Sequence, residues 1–248
     1  MSGHSHAKTV KRTKETNAEK RGKIFSKLAK IISIAAKDGG NPAGNSILRQ
    51  AIETSKKFNM PKENIERAIK RGTGELAGEQ LEEIMYEAVG TNGVSIIIEG
   101  ITDNKNRSLS DIRQILQKHN AKLANEGSLK WQFDRRGVIL VNLKSKIENR
   151  KSERDEIELK AIEAGAEDTQ WQKEDEEEYL EIRTQPTELD KVKKGLEDRG
   201  LTIESADLSW IAKEEIVLPE KDKESCQKLF DDLDENDAVQ NIFSNLAS

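Results

Sequence analysis

The sequence lacks several features that mark common classes of protein. Its single cysteine, Cys226, can form neither an internal disulfide nor a CxxC metal pair, which favours a reducing compartment. No run of about 18 apolar residues occurs, and the N-terminus has no apolar stretch typical of a signal peptide. We therefore expect a cytoplasmic protein that has no membrane partner.

The sequence also has few residues suited to catalysis. Of its three histidines, His4 and His6 lie near the N-terminus and His119 ends a predicted helix, while the only thiol lies in a predicted amphipathic helix. No paired carboxylates or metal-ligand spacing stand out. We expect a protein that is not an enzyme and that has no cofactor and no metal site.

What the chain does have is charge, distributed unevenly. Apolar residues make up 34% and charged residues 35% of its 248 residues, which indicates two or three modules with small cores. Residues 1–75 hold 17 Lys/Arg against 7 Asp/Glu, whereas the remainder holds 24 against 39. A basic module on an acidic body is typical of a protein that binds a polyanion.

The basic region has the apolar periodicity of three helices. From residue 17 to 37, apolar residues recur at helical spacing on one face and lysines lie on another. Gly39, Gly40 and Pro42 separate this helix from a second, which runs to about Phe58. A third helix begins at Pro61 and stops before Gly72, which we interpret, together with Gly74, as a helix stop and interdomain hinge. Residues 17–71 are therefore predicted to form a three-helix bundle.

Beyond the bundle, the spacing alternates between strands and helices. The segments from 138 onward follow the order βαββαβ of a ferredoxin-like sandwich, and a final strand, helix and strand are expected to complete a module that residues 80–134 leave open. The predicted fold class is α+β, with an N-terminal three-helix bundle followed by two α/β (ferredoxin-like) domains, one inserted into the other. The expected domains are residues 1–76, residues 77–134 plus 213–248, and residues 135–212.

Several details of this body follow from local signals. Strands are predicted at 128–133 and 138–143, joined by a turn at 134–137 that contains Arg135 and Arg136. Another strand is expected near 215–218. The tryptophans Trp131, Trp171 and Trp210 fall in predicted strands, where core or interdomain packing is the default.

Six segments of the chain have a distinctive sequence: MSGHS, NAEKRGKIFSKLAKII, GGNPAGNSILRQAI, NMPKENIERAIKRGTGE, YEAVGTNGVSIIIEGITDNKNRS and DAVQNIFSN. On these segments the chain closely resembles the YebC/PmpR family, whose mitochondrial branch includes a translational activator of cytochrome c oxidase subunit one, and the resemblance spans nearly the whole chain. It implies three domains, DNA-binding transcriptional regulation, and a role in translation with the ribosome as a partner. His6-Ala7 stands where members commonly have Lys-Trp, which removes a stacking aromatic from the N-terminal arm.

Cations of the basic module are the candidate nucleic-acid contacts. The arm before the first helix has no apolar period, and a mobile cationic arm can become ordered on phosphates. The end of the third helix is also cationic, although complementing the helix dipole explains those residues equally well. The predicted contacts are Lys8, Lys11, Arg12, Lys14, Lys20, Arg21, Lys23, Lys27, Lys30, Arg67, Lys70 and Arg71.

The link between the second and third helices has two interpretations. Asn59, Met60, Pro61 and Lys62 could form a contact loop, since an exposed methionine would be unusual in a plain linker. Alternatively, Met60 packs as a hydrophobic staple onto Ile65.

The nature of the partner stays open at this level. No helix combines a helix-turn-helix signal with a convincing base-reading set of Arg, Asn and Gln, so sequence-specific duplex recognition is not indicated. DNA and ribosomal or transfer RNA are both candidates, with a slight preference for RNA shape and phosphates. The alternative is a protein-interaction scaffold in which the acidic α/β body binds a partner and the bundle has no nucleic-acid role.

Overall fold

A computed structural model describes residues 18–78, 80–143, 150–174 and 177–247. The N-terminal arm with its four predicted contacts, Lys8, Lys11, Arg12 and Lys14, lies outside the described residues.

The N-terminal module is a bundle of three helices, α1 (Ala18–Ala35), α2 (Ser46–Lys57) and α3 (Lys62–Gly72). Helix α2 begins where the Asn45 side chain accepts a hydrogen bond from the Leu48 amide at 3.0 Å, which satisfies one of the unpaired donors of the first turn. Proline at 61 precedes α3 and fixes the backbone at its start. The apolar faces meet in one core, which includes Leu28, Ile32, Leu48, Ile52 and Ile65.

Gly72 has a different role from the hinge that we predicted. It is the last residue of α3, and a Cβ atom there would lie 2.2 Å from the Ser33 carbonyl oxygen and 2.7 Å from the Ala36 Cβ. At the same crossing, the Ser33 hydroxyl donates to the Ala68 carbonyl at 2.8 Å. Only glycine permits this approach of α1 and α3, so Gly72 joins the two helices tightly. Gly74, at φ 80°, adopts the left-handed conformation just beyond the helix end.

The first sheet is built from strands that come before and after the second sheet along the chain. It is antiparallel, in the order β3-β1-β2-β8, and consists of β1 (Glu82–Val89), β2 (Ser95–Thr102), the short β3 (Lys122–Leu123) and β8 (Val239–Ser244). Helices α4 (Lys105–Lys118) and α7 (Glu220–Asp234) contribute buried side chains to the same core. The run of apolar residues in β2 is buried because this strand lies inside the sheet.

The second sheet has the strand order of a ferredoxin-like sandwich. Along the chain come β4 (Phe133–Leu143), α5 (Arg150–Ala164), β5 (Asp168–Glu174), β6 (Glu177–Thr184), α6 (Leu189–Asp198) and β7 (Ile203–Ala212), and the sheet order is β5-β6-β4-β7. Because β8 returns to the first sheet after this unit is complete, one α/β domain is inserted into the other. The predicted fold class is confirmed, while the domain boundaries stay a prediction.

The predictions for residues 134–137 and 215–218 were wrong, and in place of the strand predicted at 128–133 a turn precedes β4. Residues 134–137 form no turn, because they lie within β4, where Arg135 pairs with Trp210 on β7. β4 pairs with β7 over this whole stretch and with β6 from Gly137 onward, and this pairing outweighs the turn tendency of Asp-Arg-Arg-Gly. Near residues 215–218, the predicted strand is reduced to a single bridge between Ile216 and Leu246, since the chain enters α7 directly after Pro219.

Candidate nucleic-acid interface

Three of the predicted contacts on α1 point at the protein's own C-terminal region. Lys23 Nζ lies 2.5 Å from Glu235 Oε2, and Lys27 Nζ lies 3.1 Å from Asp234 Oδ1. Lys27 also donates to the Asp234 carbonyl at 2.5 Å. We call Lys23, Lys27 and Lys30 the lysine ridge. We call residues 234–237 the acidic turn, which begins at Asp234, the last residue of α7.

The surroundings of Lys30, the third residue of the lysine ridge, shift its pKa. Lys30 donates to the carbonyl of Asp237 at 2.7 Å. Burial lowers the pKa of Lys30 below the ordinary lysine value, and the negative charge of Asp237 opposes this shift. The ridge thus binds carboxylates and backbone carbonyls at the C-terminal end of α7, where cations complement the helix dipole.

A second set of contacts fixes α2 to the inserted domain. Lys57 donates to the Glu204 carbonyl at 2.8 Å, and Gln50 donates to the Ala206 carbonyl, so both side chains bind the outer edge of β7. Lys193 on α6 forms an ion pair with Glu53 at 3.1 Å. These contacts are polar, and the apolar core of the bundle is separate from the cores of the two sheets.

The cations at the end of α3 face solvent, whereas those of the lysine ridge face the acidic turn. Arg67, Lys70 and Arg71, which we call the open patch, are exposed and have no hydrogen-bonding or ion-pair partner for their side chains among the described residues. Their spacing of three and four positions places them on one face of the helix. Arg21, near the start of α1, is also exposed and unpaired within the described ranges. The backbone of Lys20 is helical and lies in the first turn of α1.

The link between α2 and α3 presents its polar residues rather than its methionine. Met60 is only 6% exposed and belongs to the bundle core, where its amide donates to the Ser55 carbonyl at 3.0 Å. Asn59 is exposed and adopts φ 57°, and Lys62 lies 3.5 Å from Glu66. This geometry matches the packing interpretation of Met60 and leaves Asn59, Pro61 and Lys62 at the surface.

Two tryptophans differ in how they match the sequence-based expectation. Trp131 lies in a short turn before β4 and is 67% exposed, so the prediction that it packs in a core or between domains was wrong. Alternation of Leu129, Trp131 and Phe133 suggested a strand, but the buried carboxylate of Glu87 accepts backbone N–H groups at 127, 129 and 130 and holds this segment as a turn.

Trp210, in contrast, joins the two sheets. Its ring lies 5.0 Å from Lys130 Nζ and 5.0 Å from the Arg135 guanidinium, and its Nε1 donates to Glu99 on β2 at 2.8 Å. Arg135 also donates to Glu99, at 2.8 Å. This cluster could not be predicted from local patterns, because its members are brought together only by the pairing of β4 with β7 and the position of β2.

Sequence reasoning also missed the acidic turn as a partner of the lysine ridge. A signal was present, because Asp234, Glu235 and Asp237 lie at the C-terminal end of an amphipathic helix, where negative charge opposes the helix dipole. Such an arrangement favours a cationic partner elsewhere in the fold. Which cations meet it could not be deduced, since Lys23 and Glu235 are separated by 212 positions.

Over the ranges that the structure describes, no group of three or more His, Cys, Asp or Glu residues is placed to hold a metal ion. None of the helices in these ranges is both long and apolar enough to cross a bilayer. Cys226 is buried in the first core, and burial raises the pKa of its thiol.

A basic three-helix module joined to two antiparallel α/β domains defines a three-part class of α+β protein. Residues 5–75 match the family described as "TACO1/YebC protein N-terminal domain", and residues 81–246 match "TACO1/YebC second and third domain". The chain belongs to the TACO1/YebC family, which confirms the resemblance seen in the sequence.

Relatives of similar length support this assignment. A probable transcriptional regulatory protein of Thermoanaerobacter pseudethanolicus is 46% identical over 247 residues, covering 99% of this chain and 97% of the relative. Another, from Desulfotalea psychrophila, is 45% identical, covering 99% and 95%. The crystal structure of a conserved hypothetical protein from Aquifex aeolicus superposes with a TM-score of 0.82 at 42% identity, covering 93% of this chain and 91% of that one.

Proposed function

We propose that this protein is a regulator of gene expression that binds nucleic acid through the cations of its N-terminal module. The observation that carries the proposal is the open patch: Arg67, Lys70 and Arg71 share one exposed helix face and have no partners among the described residues. Surface arginines and lysines that are not engaged within the protein are suited to phosphate oxygens. The relatives named probable transcriptional regulatory proteins agree with a regulatory role.

The type of contact follows from which groups are available. The open patch offers two guanidinium groups and one ammonium group, and the arm offers Lys8, Lys11, Arg12 and Lys14. Because these groups bind phosphates and α3 has no base-reading set, we propose that recognition depends on backbone and shape rather than on base sequence. DNA, ribosomal RNA and transfer RNA are the partners to compare, and association with the ribosome is the setting in which the RNA alternatives would apply.

The experiment is a salt titration of binding to three labelled probes, a DNA duplex, a ribosomal RNA hairpin and a transfer RNA, followed by fluorescence anisotropy. Replacing the open patch by Arg67→Ala, Lys70→Ala and Arg71→Ala is expected to reduce the slope of log affinity against log salt by about 0.9 for each lost contact to a B-form duplex, or about 0.7 for a single strand. If the triple variant has a lower slope than the parent protein only with the RNA probes, RNA is the partner.

The matched control removes three cations from the acidic body. Lys194, Lys221 and Lys228 are exposed and, within the described part of the chain, their side chains have no partner. Their replacement by alanine changes the net charge equally, so it should leave the slope unchanged. An equal effect of both triple variants would mean that binding responds to total charge, and the open patch would lose its role.

The arm is tested separately. Replacing Lys8, Lys11, Arg12 and Lys14 by alanine is expected to lower the salt slope by roughly one unit for each lost contact while the bundle stays folded, because none of the four occupies an apolar position of the sequence pattern. The circular dichroism spectrum should match that of the parent protein. An unchanged slope would remove the arm from the proposed interface.

A further inference from the structure

The acidic turn presents the lysine ridge with the same chemistry as a nucleic-acid backbone. It offers two carboxylates, from Asp234 and Glu235, and two carbonyl oxygens, from Asp234 and Asp237, to three ammonium groups. An ammonium group donates hydrogen bonds to phosphate oxygens in the same way. A phosphate strand and the acidic turn therefore compete for the same donors.

The contact is built to be reversible. Lys27 is the more buried cation, at 16% exposure opposite Asp234 at 56%, whereas the Lys23–Glu235 pair remains partly in water, at 45% and 56%. Exposed ion pairs of this kind contribute little stability and are screened by salt. Among the residues that the structure describes, no shared apolar core joins the bundle to the first domain, since the two clusters are separate. The ridge can thus be uncovered without exposing a hydrophobic surface.

We propose that the acidic turn is an intramolecular competitor that covers the lysine ridge until nucleic acid displaces it. This inference rests on the proposed function and names the regulation of the same module. The open patch makes the first contact, and the ridge joins the interface when the turn is released. Binding and release are linked, so any change that loosens the turn must tighten the binding of nucleic acid by the factor by which the uncovered fraction of the protein rises.

The first test neutralises the turn with Asp234→Asn and Glu235→Gln. If the covered state predominates, removing it should tighten binding to the best of the three probes by roughly five- to tenfold. The salt slope should also become steeper by about one to two units, because the freed lysines now exchange counterions for phosphates without first breaking ion pairs.

The control is the double variant Glu197→Gln and Asp198→Asn. These residues are the last two of α6, both are exposed, and neither side chain has a partner in the described part of the protein. The control therefore removes the same charge from the same kind of position, and it should change affinity by less than about twofold. If the two double variants tighten binding equally, the turn has no special role and the proposal is wrong.

The second test fixes the covered state. The double variant Lys23→Cys and Glu235→Cys places one cysteine on each side of the contact. A short bismaleimide crosslinker bridges the gap left by the removed Lys and Glu side chains, which is too wide for a disulfide, and native Cys226, at 1% exposure, is too buried to react. The crosslinked form should bind nucleic acid at least fivefold more weakly than the same variant without crosslinker. Equal affinity of a fully crosslinked and an uncrosslinked sample would overturn the proposal.

The outcomes also separate this inference from the function on which it rests. If the parent protein binds and the acidic-turn variant binds no more tightly than its control, only the competitor model fails. If neither the parent protein nor any variant binds any of the three probes at low salt, the proposed function fails together with the competitor model.

Discussion

Truncating Met60 distinguishes packing from contact in the link between α2 and α3. The side chain is 6% exposed in the bundle core, so Met60→Ala removes three nearly buried groups, the Cγ, Sδ and Cε atoms. At about 0.8 kcal/mol for each buried group, the transfer cost is roughly 2.4 kcal/mol. The cavity that remains raises the expected loss in free energy of unfolding of the bundle to about 3–4 kcal/mol. Met60→Leu conserves the volume and should cost less than about 1.5 kcal/mol.

Hydrogen exchange measured by mass spectrometry is the suitable assay, because three separate cores make a single unfolding transition unsafe to assume. Amides of α2 and α3 should lose protection in Met60→Ala, whereas those of the two sheets should not. Nucleic-acid affinity should follow the folded fraction of the bundle in both variants. Full protection in Met60→Ala combined with lost binding would refute the packing argument and make Met60 a contact residue.

Two further predictions concern helix packing and pH. Gly72→Ala should destabilise the bundle by about 1–3 kcal/mol through its clash with Ser33, and the same exchange experiment measures this loss. The control Gly22→Ala, at an exposed site of α1 with open space around it, should be neutral or stabilising by up to about 1 kcal/mol. The hydrogen bond from Lys118 holds the pKa of Asp232 below its ordinary value. The ionised Asp232 carboxylate therefore stabilises the fold at a pH above the ordinary aspartate pKa, and this stabilisation is lost as the pH falls through the lowered pKa of Asp232. Thermal unfolding should therefore show Asp232→Asn less stable than the parent at pH about 7, with a deficit that shrinks as the pH falls below the ordinary aspartate pKa of about 4; a deficit that stays constant through this range would contradict the linkage.

The bundle could be predicted from the sequence because its signals are local. Apolar residues at helical spacing, the cap at Asn45 and the proline at 61 each act within a few positions, and the structure places helices where those signals indicated. The close approach at Gly72 was not predictable, because it depends on how α1 and α3 cross.

The errors in the body have a common cause. Asp134 to Gly137 have the composition of a turn, but pairing with β7 holds them extended, and β6 joins only at Gly137. Trp131 follows an alternating pattern, but the buried carboxylate of Glu87 imposes a turn from another strand. In both cases, a partner distant in sequence determines the local conformation, and a single sequence does not reveal that partner.

The same limit applies to the candidate site. Charge identified the basic module, and composition alone predicted a polyanion partner. It could not sort the cations into the open patch and the lysine ridge, because that division depends on where the end of α7 lies. For this reason, the site residues stay a prediction that the binding experiments must test.

The position of β8 has a consequence for how the chain is made. This strand completes the first sheet by pairing with β2, and Ser95 exchanges backbone and side-chain hydrogen bonds with Asn245, 150 positions later. During synthesis from the N-terminus, the inserted domain has all its strands before β8 leaves the ribosome, whereas β2 must wait with one edge unpaired. The first α/β domain is therefore the last to close, and premature termination that removes the final strand would leave a finished inserted domain attached to an open, aggregation-prone sheet.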